Sequence, residues 1–162
     1  MNLNFCPECA APLRKDSDSE YTCRNGHKYW NNPRATVGIF LIKDGQVLFA
    51  KRGEEPHKGK YDIIGGFMNF GEDAHDAARR ELQEETGLTV NSLELLDIVT
   101  HLYSQDLSLC AVLYASRDWS GTPVPQDDVA ALEWHSPELI NSPDFAWRLP
   151  GLAQKLQAYV DR

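Results

Sequence analysis

A 23-residue stretch, GFMNFGEDAHDAARRELQEETGL at positions 66–88, constrains this chain more than any other feature. Glu81, Glu84 and Glu85 stand at spacing i, i+3, i+4. On a helix that spacing brings side chains to one face, with neighbouring Cβ atoms roughly 5–6 Å apart. Like charges so placed weaken a helix, so the pattern calls for compensation, and a hard divalent cation with oxygen ligands is the natural one. Ala74, Ala77, Ala78 and Leu82 make an apolar stripe facing away from the acids. Gly87 can adopt the left-handed conformation that ends a helix. The spacing therefore predicts a helix from about Asp73 to Thr86, packed on a sheet through its small alanines.

The stretch resembles the Nudix box, G-x5-E-x7-R-E-U-x-E-E-x-G-U with U a bulky aliphatic residue. Gly66, Glu72, Arg80, Glu81, Leu82, Glu84, Glu85, Gly87 and Leu88 match every defined position. The resemblance implies a Nudix α/β/α sandwich with a mixed β-sheet. It also implies a hydrolase dependent on Mg²⁺ or Mn²⁺ that splits the diphosphate linkage of a nucleoside diphosphate joined to another group. By the family's pattern Glu81 and Glu85 are metal ligands, Glu84 is a ligand or close support, and the carbonyl of Gly65 or Gly66 completes the site. Arg80 orients a box glutamate, and Glu72 ties the preceding loop to the helix. For Arg80 and Glu72 the plainer alternative is a surface ion pair.

The rest of the chain is compatible with that fold. Ala35–Ile42 is a near-continuous apolar run, suited to a strand buried on both faces. Asp44-Gly45 between two apolar runs is a hairpin signal, returning through Val47–Lys51. Asp62-Ile63-Ile64 reads as a short strand leading to Gly65-Gly66. Leu93–Leu102, Leu107–Ala115 and Ala131–His135 read as further strands, Pro137–Ile140 as a turn or short helix, and 141–162 as a helical tail. Asn31-Asn32-Pro33 marks a boundary, giving residues 1–32 and 33–162 as two domains. Cys110, within LSLCAVLYA, reads as a buried core residue.

Candidate ligand-binding and base residues lie outside the box. Related enzymes often carry a carboxylate six residues before a tryptophan, here Asp128 before Trp134, a candidate metal ligand or general base. Tyr61 stands where many relatives have tryptophan and is a candidate to line the substrate opening. Arg52, with Lys51 and Lys60, is either a phosphate partner or a solvated cation. Tyr103 sits at the distance where some relatives use a tyrosine on dinucleoside polyphosphates, with core packing as the alternative.

The N-terminal segment carries Cys6-Pro7-Glu8-Cys9 and, after thirteen intervening residues, Cys23-Arg24-Asn25-Gly26-His27. Two such pairs match a tetrahedral structural Zn²⁺ site, and a segment this short needs a metal to hold it folded. A small N-terminal zinc ribbon before a Nudix domain is similar to the NADH pyrophosphatase family. That family has four cysteine ligands, whereas His27 stands here. Its serine-, proline- and tryptophan-rich signature is also missing from HLYSQDLSLCAVLYA at 101–115, which demotes NADH itself.

The expected substrate is therefore ADP-ribose or an NAD(H)-like dinucleotide, a small-molecule nucleotide. The alternative is a nucleotide-sensing module whose ribbon recruits a protein or nucleic acid. The formal net charge of −8 argues against general affinity for nucleic acid. Half of that charge lies in the box, where six acids face two arginines. No apolar run approaches a membrane span. The N-terminus lacks the regions of a secretory signal, so the expected location is cytoplasmic. Family relatives often dimerise, and a homodimer is one assembly the resemblance allows.

Overall fold

The computed structural model of the chain describes residues 4–105 and 107–162 and divides into two compact units. One takes in the chain up to Arg34 together with Leu102–Leu109, and the other Ala35–His101 with Cys110–Arg162. The first unit is a three-stranded antiparallel sheet of β1 (Leu13–Lys15), β2 (Glu20–Cys23) and β3 (Lys28–Trp30), in that order. Its apolar cluster is little more than Cys6, Ala11 and Cys23, with Cys9 and Leu13 against them. A core that small cannot offset the entropy of ordering the chain, so the cysteines themselves must be the staple.

The second unit is built on a six-stranded sheet. Its elements are β4 (Arg34–Lys43), β5 (Gln46–Arg52), β6 (Tyr61–Asp62), β8 (Glu94–Ser104), β9 (Leu107–Ser116) and β11 (Val129–His135). They run in the order β11-β5-β4-β9-β8, with β6 also on β5. A two-stranded sheet joins β7 (Thr89–Val90) to β10 (Trp119–Ser120). The Asp44-Gly45 hairpin forms as the sequence predicts: both residues take positive φ, 50° and 76°, as the mirror-image turn of a tight hairpin requires.

Strand residues alternate between two cores. Val37, Ile39, Leu41, Leu48 and Ala50 enter one, with Ala77, Ala78 and Leu82 of α1 (Ala74–Thr86). Phe40, Ile42, Val47, Phe49, Ala111 and Leu113 enter the other, with Leu152, Ala153 and Leu156 of α2 (Leu152–Val160). The sheet is thus covered on both faces, the α/β/α sandwich expected, and this explains why Ala35–Ile42 shows no polar alternation. The helix α1 begins at an Asp73 cap, whose carboxylate accepts from the His75 amide, and ends at Gly87 with φ 70°.

Three expectations need adjustment. The C-terminal tail is helical only over Leu152–Val160. Before it, Pro137–Asn141 forms a 3-10 turn, and the chain then runs beside β6, where the Tyr61 amide donates to Asp144 O and the Ala146 amide to Tyr61 O. Ser142–Pro143 and Leu149–Pro150 account for the break, since proline cannot continue a helix. Cys110 is partly rather than fully buried, because it alternates with its neighbours: Leu109, Ala111 and Leu113 are buried, whereas Ser108, Cys110 and Val112 on the other face of β9 are only partly so. Finally, the acids of α1 are not set apart from its apolar stripe: Glu85 is itself buried, being one turn from Leu82. Among the described residues no helix is long and apolar enough to cross a membrane.

Candidate active site and N-terminal metal centre

The loop from Gly66 to Glu72 is fastened to α1 by one side chain. Arg80 donates from Nε to Glu72 Oε1 at 2.8 Å and from Nη2 to Glu72 Oε2 at 2.9 Å. Its Nη1 reaches Glu81 Oε1 at 2.7 Å and Glu84 Oε2 at 3.0 Å, and Nη2 also reaches the Phe67 carbonyl at 3.1 Å. Glu72 accepts in addition from the Asn69 amide at 2.7 Å. The Arg80 hydrogen bonds, then the Asn69 amide, hold the Glu72 carboxyl down at about 2.

The three box carboxylates are unequal. Glu84 has half its side chain in solvent (52%), whereas Glu81 shows 13% and the Glu85 residue 7%. Glu85 Oε2 accepts from the Gly65 amide at 3.0 Å. A Cβ on Gly66 would lie 2.6–2.8 Å from the Glu81 carboxylate, and one on Gly65 would collide with Val37 O. Gly65 thus seats the loop on β4, and Gly66 leaves room for Glu81. Both glutamates converge on this glycine pair.

Burial, opposed by the Gly65 amide and reinforced by the charges of Asp128, Glu81 and Asp62, pushes Glu85 up to about 9. Burial raises Glu81 as well, against the pull of Arg80. Two buried carboxylates with further acids within electrostatic reach cannot all ionise without a cation. An all-oxygen, acid-rich pocket lined by glycine backbone is the donor set that Mg²⁺ or Mn²⁺ takes. The residues present fit such an ion.

Asp128 reaches this neighbourhood through backbone pairing. The Val124 amide donates to Thr86 O and the Gln126 amide to Glu85 O, both at 2.9 Å, which satisfies carbonyls at the C-terminal end of α1. Asp127 takes a positive φ of 54°, and Asp128 O accepts from the Gly53 amide at 2.7 Å. A Cβ on Gly53 would meet that same oxygen at 2.7 Å, so the loop can close only over glycine.

The other candidates have hydrogen-bond partners of their own within the fold. Arg52 Nη1 donates to Asp62 at 2.7 Å and its Nε to Pro56 O at 2.6 Å. Tyr61 donates its hydroxyl to Glu133 at 2.7 Å, with His135 edge-on to its ring and Lys51 above it. Tyr103 stands near the end of β8, among the residues grouped with the first compact unit.

Sequence reasoning passed over Asp62. Its carboxylate takes Arg52, the Trp147 indole N–H at 3.0 and 3.1 Å, and the Ile63 amide at 2.7 Å. Burial pushes its pKa up, against the pull of Arg52 and Trp147. An acid between a tyrosine and two isoleucines was the available signal; its partner Trp147 lies 85 residues away.

In the N-terminal unit the ligand atoms of Cys6, Cys9, Cys23 and His27 all lie within 4.8 Å of one another. Cys9 and Cys23 sulfurs are 3.8 Å apart, and Cys6 Sγ is 3.4 Å from His27 Nδ1. A tetrahedron with Zn–S bonds of ~2.3 Å has sulfur–sulfur edges of about 3.8 Å, so the four groups fit Zn²⁺. The Ala11 amide, with help from the Asn25 side chain, lowers Cys9 to about 6, favouring the thiolate that binds metal.

A family model described as NUDIX domain matches residues 32–156. The chain is 35% identical over 92 residues to the mitochondrial NAD(P)H pyrophosphatase NUDT13 of Homo sapiens, covering 56% of this chain and 26% of that protein. It is 35% identical over 72 residues to an ADP-ribose pyrophosphatase of Methanocaldococcus jannaschii, covering 44% of this chain and 43% of that protein. The chain thus spans less than half the length of these curated relatives. Among solved structures, a MutT NUDIX hydrolase from Burkholderia pseudomallei superposes with TM-score 0.69 at 25% identity, covering 77% of this chain and 98% of that one.

Proposed function

The chain belongs to the Nudix hydrolase family, and from that premise we propose that it splits the diphosphate linkage of ADP-ribose or of an NAD(H)-like dinucleotide. The observation that carries the reading is the convergence of Glu81 and Glu85 on Gly65-Gly66 under the grip of Arg80. Names of two relatives, an NAD(P)H pyrophosphatase and an ADP-ribose pyrophosphatase, favour these substrates over others.

In the chemistry we propose, water attacks one phosphorus of the diphosphate and the bridging P–O bond breaks, leaving two phosphomonoesters. Glu81 and Glu85 would hold Mg²⁺ or Mn²⁺, with Glu84 and a Gly65 or Gly66 carbonyl as further oxygen donors. A cation held there would neutralise phosphate oxygens and lower the pKa of water. Arg80 fixes the Glu81 carboxylate so that it need not reorganise during the reaction. The Gly65 amide holds one oxygen of Glu85 and leaves the other for the ion. Asp128 accepts the proton of the attacking water. Zn²⁺ on Cys6, Cys9, Cys23 and His27 has a structural role only.

A product-resolved hydrolysis screen tests this. The panel spans ADP-ribose, NADH, NAD⁺, FAD, dinucleoside polyphosphates, coenzyme A, nucleotide sugars and nucleoside triphosphates, with Glu85→Gln as control. Turnover of ADP-ribose or a dinucleotide that the variant loses supports the proposal. Tight nucleotide binding without turnover replaces it with a sensing role.

A further inference from the structure

Asp128 owes its place to two residues that bring no reactive group of their own. The chain turns tightly over residues 126–129, where the Val129 amide donates to Gln126 O at 3.0 Å. Asp127, the first residue inside that turn, takes φ 54°. Aspartate and asparagine accept such a conformation more readily than most residues, whereas a β-branched side chain there is strained. Asp127 is exposed, so the turn imposes this conformation and packing around the side chain does not.

Both ends of the turn are fixed. Before it, the Gln126 amide is bound to the carbonyl of Glu85 at 2.9 Å, so the turn hangs from a residue of the box itself. After it, β11 begins with a bulge: Val129 pairs with Arg52 and Ala131 with Lys51. The extra residue lets Val129 join Leu132 and Trp134 in the core beside α1, where strict alternation would turn it to the other face. The charge of Asp128 is felt at Glu85, so the acid stands within electrostatic reach of the box.

Opposite the turn is Gly53, one residue past β5. Its amide holds Asp128 O at 2.7 Å. A Cβ there would lie 2.7 Å from that oxygen and 3.4 Å from its carbonyl carbon, so a side chain at 53 must push one partner away. The strand cannot yield, because Leu48, Phe49 and Ala50 are buried on the two faces of the sheet. Residues 124–127 are exposed and can. The displacement therefore falls on Asp128.

We propose that Gly53 and Asp127 are positioning residues for the hydrolysis and act only through Asp128. Gly53 sets how closely the turn approaches β5, and Asp127 sets the direction in which the chain enters Asp128. This rests on the reading of Asp128 as the group that accepts the proton of the attacking water.

The test is a pair of double-mutant cycles: Gly53→Ala and Asp127→Val, each alone and combined with Asp128→Asn. Two quantities are read. One is kcat on whichever compound is hydrolysed; the other is Mn²⁺ affinity by electron paramagnetic resonance, which needs no turnover. Each variant alone should lower kcat about tenfold or more, as a misplaced reacting group does. Each should also weaken Mn²⁺ binding about threefold or more, since a nearby carboxylate attracts the ion. Neither should add to the loss caused by Asp128→Asn, because changes that act through one group are not additive. Thermal melts check folding, and Asp127→Gly, free to take positive φ, should recover the activity that Asp127→Val loses. Wild-type kcat and Mn²⁺ affinity in folded Gly53→Ala and Asp127→Val overturn the proposal, as do losses that add in full to those of Asp128→Asn. If Asp128→Asn alone changes neither quantity, the role of Asp128 falls and that of Gly53 and Asp127 with it. Failure of the hydrolase reading shows instead as wild-type protein without turnover, and the Mn²⁺ cycles still decide.

Discussion

Arg80 grips Glu72 with two nitrogens, at 2.8 and 2.9 Å, and so fixes the loop of residues 66–72 to the helix bearing Glu81, Glu84 and Glu85. A planar guanidinium can hold both oxygens of a carboxylate and still reach neighbours; a lysine ammonium cannot. Arg80→Lys should therefore lower kcat by about tenfold or more while changing the melting temperature little. Steady-state kinetics beside a thermal melt check this, and equal kcat in the two proteins removes Arg80 from its positioning role.

The Glu72 pair has a defined acid limit. The carboxyl is depressed from the ordinary 4.5 to about 2, so its contribution to stability is present above pH ~4.5 and is lost as pH falls toward 2. Wild type should be more stable than Glu72→Gln at neutral pH, and the gap should close between those values. Melts of both proteins across acidic pH measure it.

Glu85 behaves in the opposite sense. Its folded-state value, about 9, lies above the ordinary 4.5. Its contribution is therefore fully present below pH ~4.5 and is lost as pH rises through 9. Metal-free wild type should lose melting temperature between pH 5 and 9, and Mg²⁺ should restore it. Glu85→Gln should reduce that slope and be the more stable protein without metal at pH 8, while losing about a thousandfold in kcat. A pH-independent melt in metal-free wild type would contradict the burial of this charge.

Adjacent glycines should fail differently. Gly66→Ala places a methyl against the Glu81 carboxylate, so it should cost activity at nearly normal stability. Gly65→Ala meets the Val37 carbonyl and sits at φ 145°, so it should destabilise the fold by about 2 kcal/mol or more. Denaturant unfolding and kcat on both variants distinguish the two effects.

Purified protein should contain one zinc per chain. Cys6→Ser should lose it together with the order of residues 4–30, while His27→Cys should retain it. Metal analysis with hydrogen exchange decides, and an ordered, zinc-free N-terminus would remove the metal from the fold.

The helix and hairpin were legible because local chemistry sets them: Asp73 and Gly87 cap α1, and Asp44-Gly45 makes the turn without outside help. The Cys3His cluster was legible because its spacing is itself the geometry of two knuckles. The burial of Glu85 was not, since it depends on which side of α1 meets the sheet. Nor was the capture of Arg52 and Trp147 by Asp62, which joins residues 52, 62 and 147 across separate elements. Periodicity reports on the residues within one element, whereas these ionic contacts arise from the packing of several.

The loop carrying Asp128 holds α1 through main-chain amides, Val124 to Thr86 and Gln126 to Glu85. Such a grip is blind to side-chain identity. Positions 123–126 can therefore be rewritten wholesale, barring proline at 124 or 126, without moving the acid that follows. The chain has in this loop a surface it can vary for new ligands while its carboxylates stay in register.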